Sequence, residues 1–488
     1  MMKPLRHEYR EIGYTLGLIL SVVGVIFIIP ISFSVFENVS SFNAFIIPFV
    51  TLQFIAFLLY KFQKRREKSV LTYQQGAVSV VLAWLITMTI STLPFMMLTD
   101  LNFTQAMFES VSGWTTTGLS MLEVESLPKS LLIYRSILQF AGGFGLVAIM
   151  ISSLIGIGTL STLYESEGHD QLLPNIKKTA QVLFVFYSSF MVFGTLLYVV
   201  FGMPLFEALN HAMSAVSTGG FSVHSDSIGY YNNINIEVVT MVLMLLGSIN
   251  FAAYILIIKG KFKLFKSIDE NRFMVLLFIP FALLLLFLMS RFMYMSLPEA
   301  LRITIFEGIS ALTTTGYSIS SYSSYPSSII IVFIMVMIIG GQSGSTSGGI
   351  KLTRINLIIK NFRFSIIRIF QPEHQITDNI IKTPKGIKQI HKEDMNDIYN
   401  YMFLYLFTLF IGTLILTIEG FSLQDSLFEY ASTLGTVGLS VGITSTTLSY
   451  LSYWSMIIGM FLGRLEFMVV LIVIVKLVKD GLKLSKKE

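Results

Sequence analysis

The sequence predicts an all-α polytopic membrane protein made of four pseudo-symmetric units, each a helix, a re-entrant loop and a second helix, preceded by two extra transmembrane helices. Three observations carry this. The 488 residues are 53% hydrophobic and only 13% charged, with a mean hydropathy of +0.72, far from the balance of a soluble domain. Ten apolar stretches are long enough to cross a bilayer, which takes about 20 residues each. A short polar phrase is also written four times: TTTGLS at 115–120, STGGFS at 217–222, TTTGYS at 313–318 and GTVGLS at 435–440.

The first two stretches, 11–35 and 43–60, form an N-terminal extension over 1–69. The first lacks a small-residue cleavage site and is read as a retained anchor rather than a signal peptide. Stretches 74–98 and 131–159 flank the first phrase (unit 70–160), and 180–202 and 236–258 flank the second (unit 161–260). Stretches 273–295 and 328–358 flank the third (unit 261–395), and 399–419 and 450–478 flank the fourth (unit 396–488). Basic residues collect in 61–68, after Lys177, in 259–266, in 351–392 and in the tail, whereas the intervening loops hold Lys129 alone. By the positive-inside rule this puts both termini in the cytoplasm, in a cell (inner) membrane, and all four phrases on the outer side. The same distribution accounts for the net charge of +5 without a nucleic-acid partner. The absence of cysteine excludes disulfides and thiolate metal sites.

Aligned on Gly118, Gly220, Gly316 and Gly438, the copies share a small residue twelve before the glycine. Nine before it they carry Glu109, His211, Glu307 and Glu429. The first half of each loop reads as a short helix. Pro204 and Pro298 suit a first helical turn, and Ser422 with Asp425 has capping-box spacing. Thr or Ser with Gly then forces extended backbone, which at membrane depth survives only where it is buried or lines a water-filled cavity. Arranged around one pore, four such loops offer a ring of carbonyl oxygens able to replace the hydration shell of a monovalent cation, with each half-helix aiming its negative end inward. A helix ending in a Gly cap is the simpler explanation of any single copy.

The pattern resembles the Trk/Ktr/HKT superfamily of potassium uptake proteins over residues 70–480, and the helices in 11–60 resemble its TrkH branch. The resemblance implies a K+ filter from Thr116, Thr117, Gly118, Thr218, Gly219, Gly220, Thr314, Thr315, Gly316, Thr436, Val437 and Gly438. Glycine at all four filter positions implies potassium, whereas sodium-preferring plant relatives often carry Ser at the first. The loops are unequal and shorter than TVGYG, so looser selectivity is expected, with rubidium passing.

The eighth stretch is interrupted by IIGGQSGSTSGGIKLTR, 338–354, which fails the phosphate-loop pattern because Lys351 follows Ile350. It predicts an unwound polar segment, and the resemblance makes Gly340, Gly341, Gln342, Ser343, Gly344, Ser345, Thr346, Ser347, Gly348 and Gly349 an intramembrane gate; a tolerated kink is the alternative. Arg464, in the last stretch, costs at least about 2.5 kcal/mol at the bilayer centre and so marks a role. It is expected to meet the gate, as an electrostatic barrier by resemblance or as a structural partner of loop carbonyls. Glu466 should face elsewhere. Glu109, Glu307 and Glu429, with His211, read as buried braces of the pore helices. Asp425, Glu207 and Asp226 would add negative potential at the outer mouth.

YESEGHD, 164–170, reads as a solvated loop rather than a metal site, and 351–370 as an amphipathic helix along the inner membrane surface. A broken-helix secondary carrier, such as a cation symporter with a midplane substrate site, is the alternative within transport. It would predict inverted repeats, and these four share one orientation. No embedded nucleophile and base suggest an enzyme, and no cofactor is expected on this chain beyond K+ as the transported ligand. The resemblance implies a homodimer and a cytoplasmic ring of nucleotide-binding Rossmann-type subunits (TrkA/KtrA-like) against 259–272 and 351–395.

Overall fold

A computed structural model describes residues 5–62, 71–145, 176–370, 380–384 and 386–485. The apolar N-terminal extension forms two paired helices. Leu5–Gly24 continues through the turn Val25–Phe27 into Ile28–Ser34, and Val39–Phe62 lies against it. Gly17 allows the approach: a Cβ there would stand 3.0 Å from Ala56 O. Phe27 and Phe45 of the extension pack their rings within 5.3–5.4 Å of the buried Tyr134 ring, which Phe95 of its own unit also meets (5.7 Å), and so tie the extension to the first unit. Each such pair contributes about 0.5–1.5 kcal/mol beyond its buried area.

The four units follow one plan. Outer helices Tyr73–Ile90, Ile176–Val200, Asp269–Phe292 and Lys392–Ile418 lead to pore helices Phe103–Trp114, Leu205–Val216, Leu297–Thr313 and Leu423–Leu434. Inner helices Lys129–Phe144, Ile234–Ser248, Ser327–Ile339 and Tyr450–Leu465 return. Among the described residues six helices are long and apolar enough to cross a membrane, or eight if each bent pair is one span.

The stretch 328–358 does lose its helix at Gly340, but the other inner helices break as well. Lys129–Phe144 stops at Gly145 (φ 94°). Ile234–Ser248 and Phe251–Ile258 meet at 100°, with Asn250 Oδ1 capping the second piece at Ala252 N (2.8 Å). Tyr450–Leu465 and Phe467–Ser485 meet at 104° around Glu466 (φ 63°). The continuous crossings expected over 236–258 and 450–478 are therefore corrected to broken helices. Each bend falls at a short polar interruption, Ser248 and Asn250 in the second and Arg464 and Glu466 in the fourth, inside a run otherwise apolar enough to read as one crossing.

On the side where the inner helices break, Leu352–Ile369 leads to a hairpin, Ile380–Thr383 antiparallel to Gly386–Gln389, with Ile381 opposite Lys388. The sequence reading placed no strands there. The hairpin is held by Asp269 Oδ2, which accepts from Lys382 N (2.7 Å) and Lys360 Nζ (2.6 Å). The loop 164–170 and the far end of 131–159 lie outside the described residues.

Candidate functional site

Local chemistry sets each pore helix. Asn102 and Gln105 form a reciprocal capping box on the first (3.1 and 3.0 Å). Ser422 Oγ accepts from Asp425 N (3.1 Å) on the fourth. Pro298 sits in the first turn of the third, whereas Pro204 precedes the second as its N-cap. Each helix then ends in the same way. The N–H groups of Thr117, Gly219, Thr315 and Val437 donate back to the carbonyls of Ser112, Ser214, Ser310 and Ser432 at 2.8–3.0 Å. Those four serines stand at one offset from their glycines, a signal the sequence reading passed over.

After the helix the backbone reverses hand twice. Thr116, Thr218, Thr314 and Thr436 have φ of 57°, 51°, 54° and 48°, and Gly118, Gly220, Gly316 and Gly438 have φ of 86°, 77°, 82° and 94°. A β-branched residue with positive φ is a true outlier, costing of order 1–3 kcal/mol. Four at one register indicate a shared constraint. Residues of opposite hand in alternation turn successive peptide planes the same way, so their carbonyls gather on one side.

The four segments close into a ring. A Cβ added at Gly118 would run into Gly219 O of the second unit, and one at Gly220 into Thr315 O of the third. Likewise Gly316 would meet Val437 O of the fourth, and Gly438 would meet Thr117 O of the first. Each glycine therefore packs on the next unit's carbonyl in the cyclic order one, two, three, four, one. All four glycines line one open vestibule of about 630 Å³. Asp226 also lines it, while Glu207 is turned toward His224 (3.2 Å) and Tyr231 (2.5 Å), and Asp425 toward its own Ser422 (2.7 Å).

Behind the ring, the residue nine before each glycine reaches across to the strand leaving it. Glu109 accepts from Ser120 Oγ (2.9 Å) and Met121 N (2.7 Å). Glu307 accepts from Ile319 N (2.8 Å), Ser320 Oγ (3.0 Å) and Tyr322 OH (2.5 Å). Glu429 accepts from Ser440 Oγ (2.8 Å), Val441 N (3.1 Å) and Thr444 N (3.1 Å). His211 Nε2 lies 3.1 Å from Ser222 Oγ. All four are fully buried.

Two more side chains from the first inner helix join them, and the sequence reading missed both. Arg135 is buried, donates to Ser120 Oγ (2.8 Å) and Ser222 O (3.2 Å), and stacks on Phe221 at 4.0 Å. Gln139, one turn on, bonds the second unit's segment of the ring. A charge inside an apolar stretch was the signal for Arg135, the same one that singled out Arg464.

The segment 340–351 folds directly under the ring. Thr346 Oγ1 receives the Thr218 hydroxyl (3.0 Å), Gly348 N donates to Thr314 Oγ1 (2.7 Å), and a Cβ at Gly348 would run into Gly435 O and Thr436 Oγ1. Three of the four left-handed threonines thus meet it. Gln342, Thr346 and Ser347 are fully buried. The segment is tied to the second inner helix by Gln342 N to Ser248 O and Thr346 N to Gly247 O, both 3.2 Å. It is tied to the third outer helix by Ser343 N to Glu270 Oε1 (3.1 Å) and Gln342 Nε2 to Asn271 Oδ1 (2.9 Å).

Gly340, Gly344 and Gly349 turn the segment with φ near +70°, and Ser345 Oγ donates to Gln342 O (2.6 Å). Gly341 packs against the Ser347 side chain. Arg464 donates to Thr346 O (3.3 Å), Gly142 O (2.6 Å) and Gly143 O (2.9 Å). Glu466 accepts from Arg354 Nη2 (2.8 Å).

The donor set is oxygen without acid. The hydroxyls of Thr116 and Thr436 are buried without a hydrogen-bond partner among the described residues, and the ring supplies carbonyls. No cluster of three His, Cys, Asp or Glu among the described residues has the makings of a divalent-metal site. Neutral oxygens in a ring suit a weakly hydrated monovalent cation.

A sequence profile of the TrkH family, described as cation transport protein, matches residues 40–484. The Trk system potassium uptake protein TrkG of Escherichia coli (strain K12) is 34% identical over 415 residues, covering 82% of this chain and 84% of that protein. The Trk system potassium uptake protein TrkH of Halomonas elongata is 29% identical over 481 residues, covering 95% and 98%. The crystal structure of the potassium transporter TrkH from Vibrio parahaemolyticus superimposes with a TM-score of 0.80 at 26% identity, over 95% of this chain and 98% of that one.

Proposed function

Since the chain belongs to the TrkH family of cation transport proteins, we propose that it is the pore-forming subunit of a potassium uptake system, passing K+ and Rb+ inward. The single observation that carries this reading is the closed ring in which Gly118, Gly220, Gly316 and Gly438 each pack on the next unit's carbonyl. The carbonyls of Thr116, Thr117, Thr218, Gly219, Thr314, Thr315, Thr436 and Val437 and of the four glycines replace the hydration shell. Inward movement follows the membrane potential, worth about 2.3 kcal/mol per charge per 100 mV.

The segment 340–349 gates the path, because it fills the space beneath the ring and Arg464 adds a positive charge beside it. Glu109, His211, Glu307 and Glu429 brace the pore helices. Residues 1–69 form the extension, and the units run 70–160, 161–260, 261–395 and 396–488, with both termini cytoplasmic. The chain acts as a homodimer under a cytoplasmic nucleotide-binding ring that contacts the basic face of 259–272 and 351–395.

The test is rubidium uptake into liposomes by the purified chain, with sodium and lithium as competitors, beside Gly316→Ser. A Cβ at Gly316 meets Val437 O and comes within 2.9 Å of Gly438 Cα, so the mutant loses uptake or its preference for rubidium. A wild type that moves no cation, or an indifferent mutant, returns the broken-helix carrier to the front.

A further inference from the structure

The second filter segment differs from the others in having no side chain between its threonine and its glycine. In the first and third units that position is Thr117 or Thr315, whose hydroxyl bonds Thr115 or Thr313 at 2.7 Å, so the segment braces itself. In the fourth it is the buried Val437. In the second it is Gly219, followed by Gly220, and two consecutive glycines hold a backbone loosely.

The missing side chain is replaced from another helix. Gln139, fully buried on the inner helix Lys129–Phe144, puts its carboxamide where a Cβ on Gly219 would go. Its Nε2 donates to Gly219 O (2.6 Å) and its Oε1 accepts from Phe221 N (3.0 Å). The two bonds span Gly220, the glycine that packs on Thr315 O of the next unit. A buried amide with donor and acceptor both used is a rigid clamp, and its loss leaves two buried backbone groups unmet.

We propose that Gln139 is a positioning residue for ion selectivity, a side chain from the first unit that fixes the second unit's carbonyls in place of the bracing residue that unit lacks. This rests on the filter reading above. It also gives the ring a built-in inequality, because Gly219 O already accepts a hydrogen bond and is the poorer cation ligand of its tier.

The test is a reciprocal exchange scored by the rubidium-to-sodium uptake ratio in liposomes. Gln139→Ala removes the clamp, and the ratio falls about five- to tenfold, the equivalent of about one net hydrogen bond. Gly219→Thr alone collides with Gln139 and also lowers the ratio. The double variant restores the arrangement of the first and third units, and the ratio recovers toward wild type. Gln139→Met, close in size but unable to bond, behaves as Gln139→Ala and separates volume from hydrogen bonding. Thermal stability and elution profile are followed for each, and a variant that loses stability without losing the ratio counts against the proposal. A wild-type ratio in Gln139→Ala and Gln139→Met, or losses that add in the double variant, overturn it while leaving the filter reading intact. An unselective wild type overturns the filter reading itself.

Discussion

Replacing Arg464 with alanine should raise basal conduction. The guanidinium is held by Gly142 O (2.6 Å) and Gly143 O (2.9 Å), at the end of the first inner helix, and from there it donates to Thr346 O of the segment beneath the ring (3.3 Å). The first two bonds fix the arginine. The third must break for the segment to move away. A hydrogen bond to a charged group contributes roughly 1.5–3 kcal/mol, and a length of 3.3 Å puts this one near 1.5 kcal/mol. Since 1.4 kcal/mol is a factor of ten, the open population rises about tenfold.

Loss of a positive charge beside the proposed cation path acts in the same direction. The assay is rubidium uptake into liposomes containing the chain alone, without nucleotide or cytoplasmic protein. Arg464→Lys, which keeps the charge but not the fork of donors, falls between wild type and alanine. Uptake by Arg464→Ala at or below the wild-type rate, in protein that elutes and melts like wild type, would refute the gating role.

Gly348→Ala pushes a methyl into Gly435 O and Thr436 Oγ1, so it should lift the segment from the ring and raise basal rubidium uptake several-fold in the same liposomes. Glu307→Gln sets an amide against donors that now meet a carboxylate, at a cost of about 1–3 kcal/mol; the melting temperature in detergent should drop while the helix content by circular dichroism stays unchanged. On the vestibule side of the ring, hydrogen bonds from Ser225 Oγ (2.6 Å) and Ser225 N (2.7 Å) hold the Glu125 carboxyl below its usual range. A depressed carboxyl stabilises the fold above its unfolded pKa, about 4.3, and that contribution is lost as the pH falls through the lower folded value. Melting curves from pH 6 to pH 3 should therefore show a smaller acid-induced drop for Glu125→Gln than for wild type.

Much of the fold is written in repetition. Four glycines in one register, with Glu or His nine before and helical halves between, are visible because every unit needs the same turn at the same depth. The two N-terminal helices are equally plain as apolar runs. The breaks in the second and fourth inner helices were marked only by short polar interruptions, Ser248 with Asn250 and Arg464 with Glu466, which the long apolar runs on either side outweighed. Glu466 marked the fourth break, yet it was read as a charge facing elsewhere, while its positive φ is a property of backbone and not of composition.

The hairpin at 380–389 is too short to show a period. The Gln139 clamp was hidden for another reason: it joins two units, and the absence of a side chain at Gly219 has meaning only beside the helix that fills the gap. Arg135 was legible and overlooked, since a charge in an apolar stretch asks for a partner, and its partners are the Glu109 carboxylate (3.8 Å), Ser120, Ser222 and the face of Phe221.

The most direct measurement is anomalous diffraction from crystals of the chain grown in rubidium. Density on the axis enclosed by Gly118, Gly220, Gly316 and Gly438, at the level of their carbonyls, is the expected result. Density that lies elsewhere among the helices, with the ring empty at a rubidium concentration that supports uptake, would contradict the claim that these four loops are the filter.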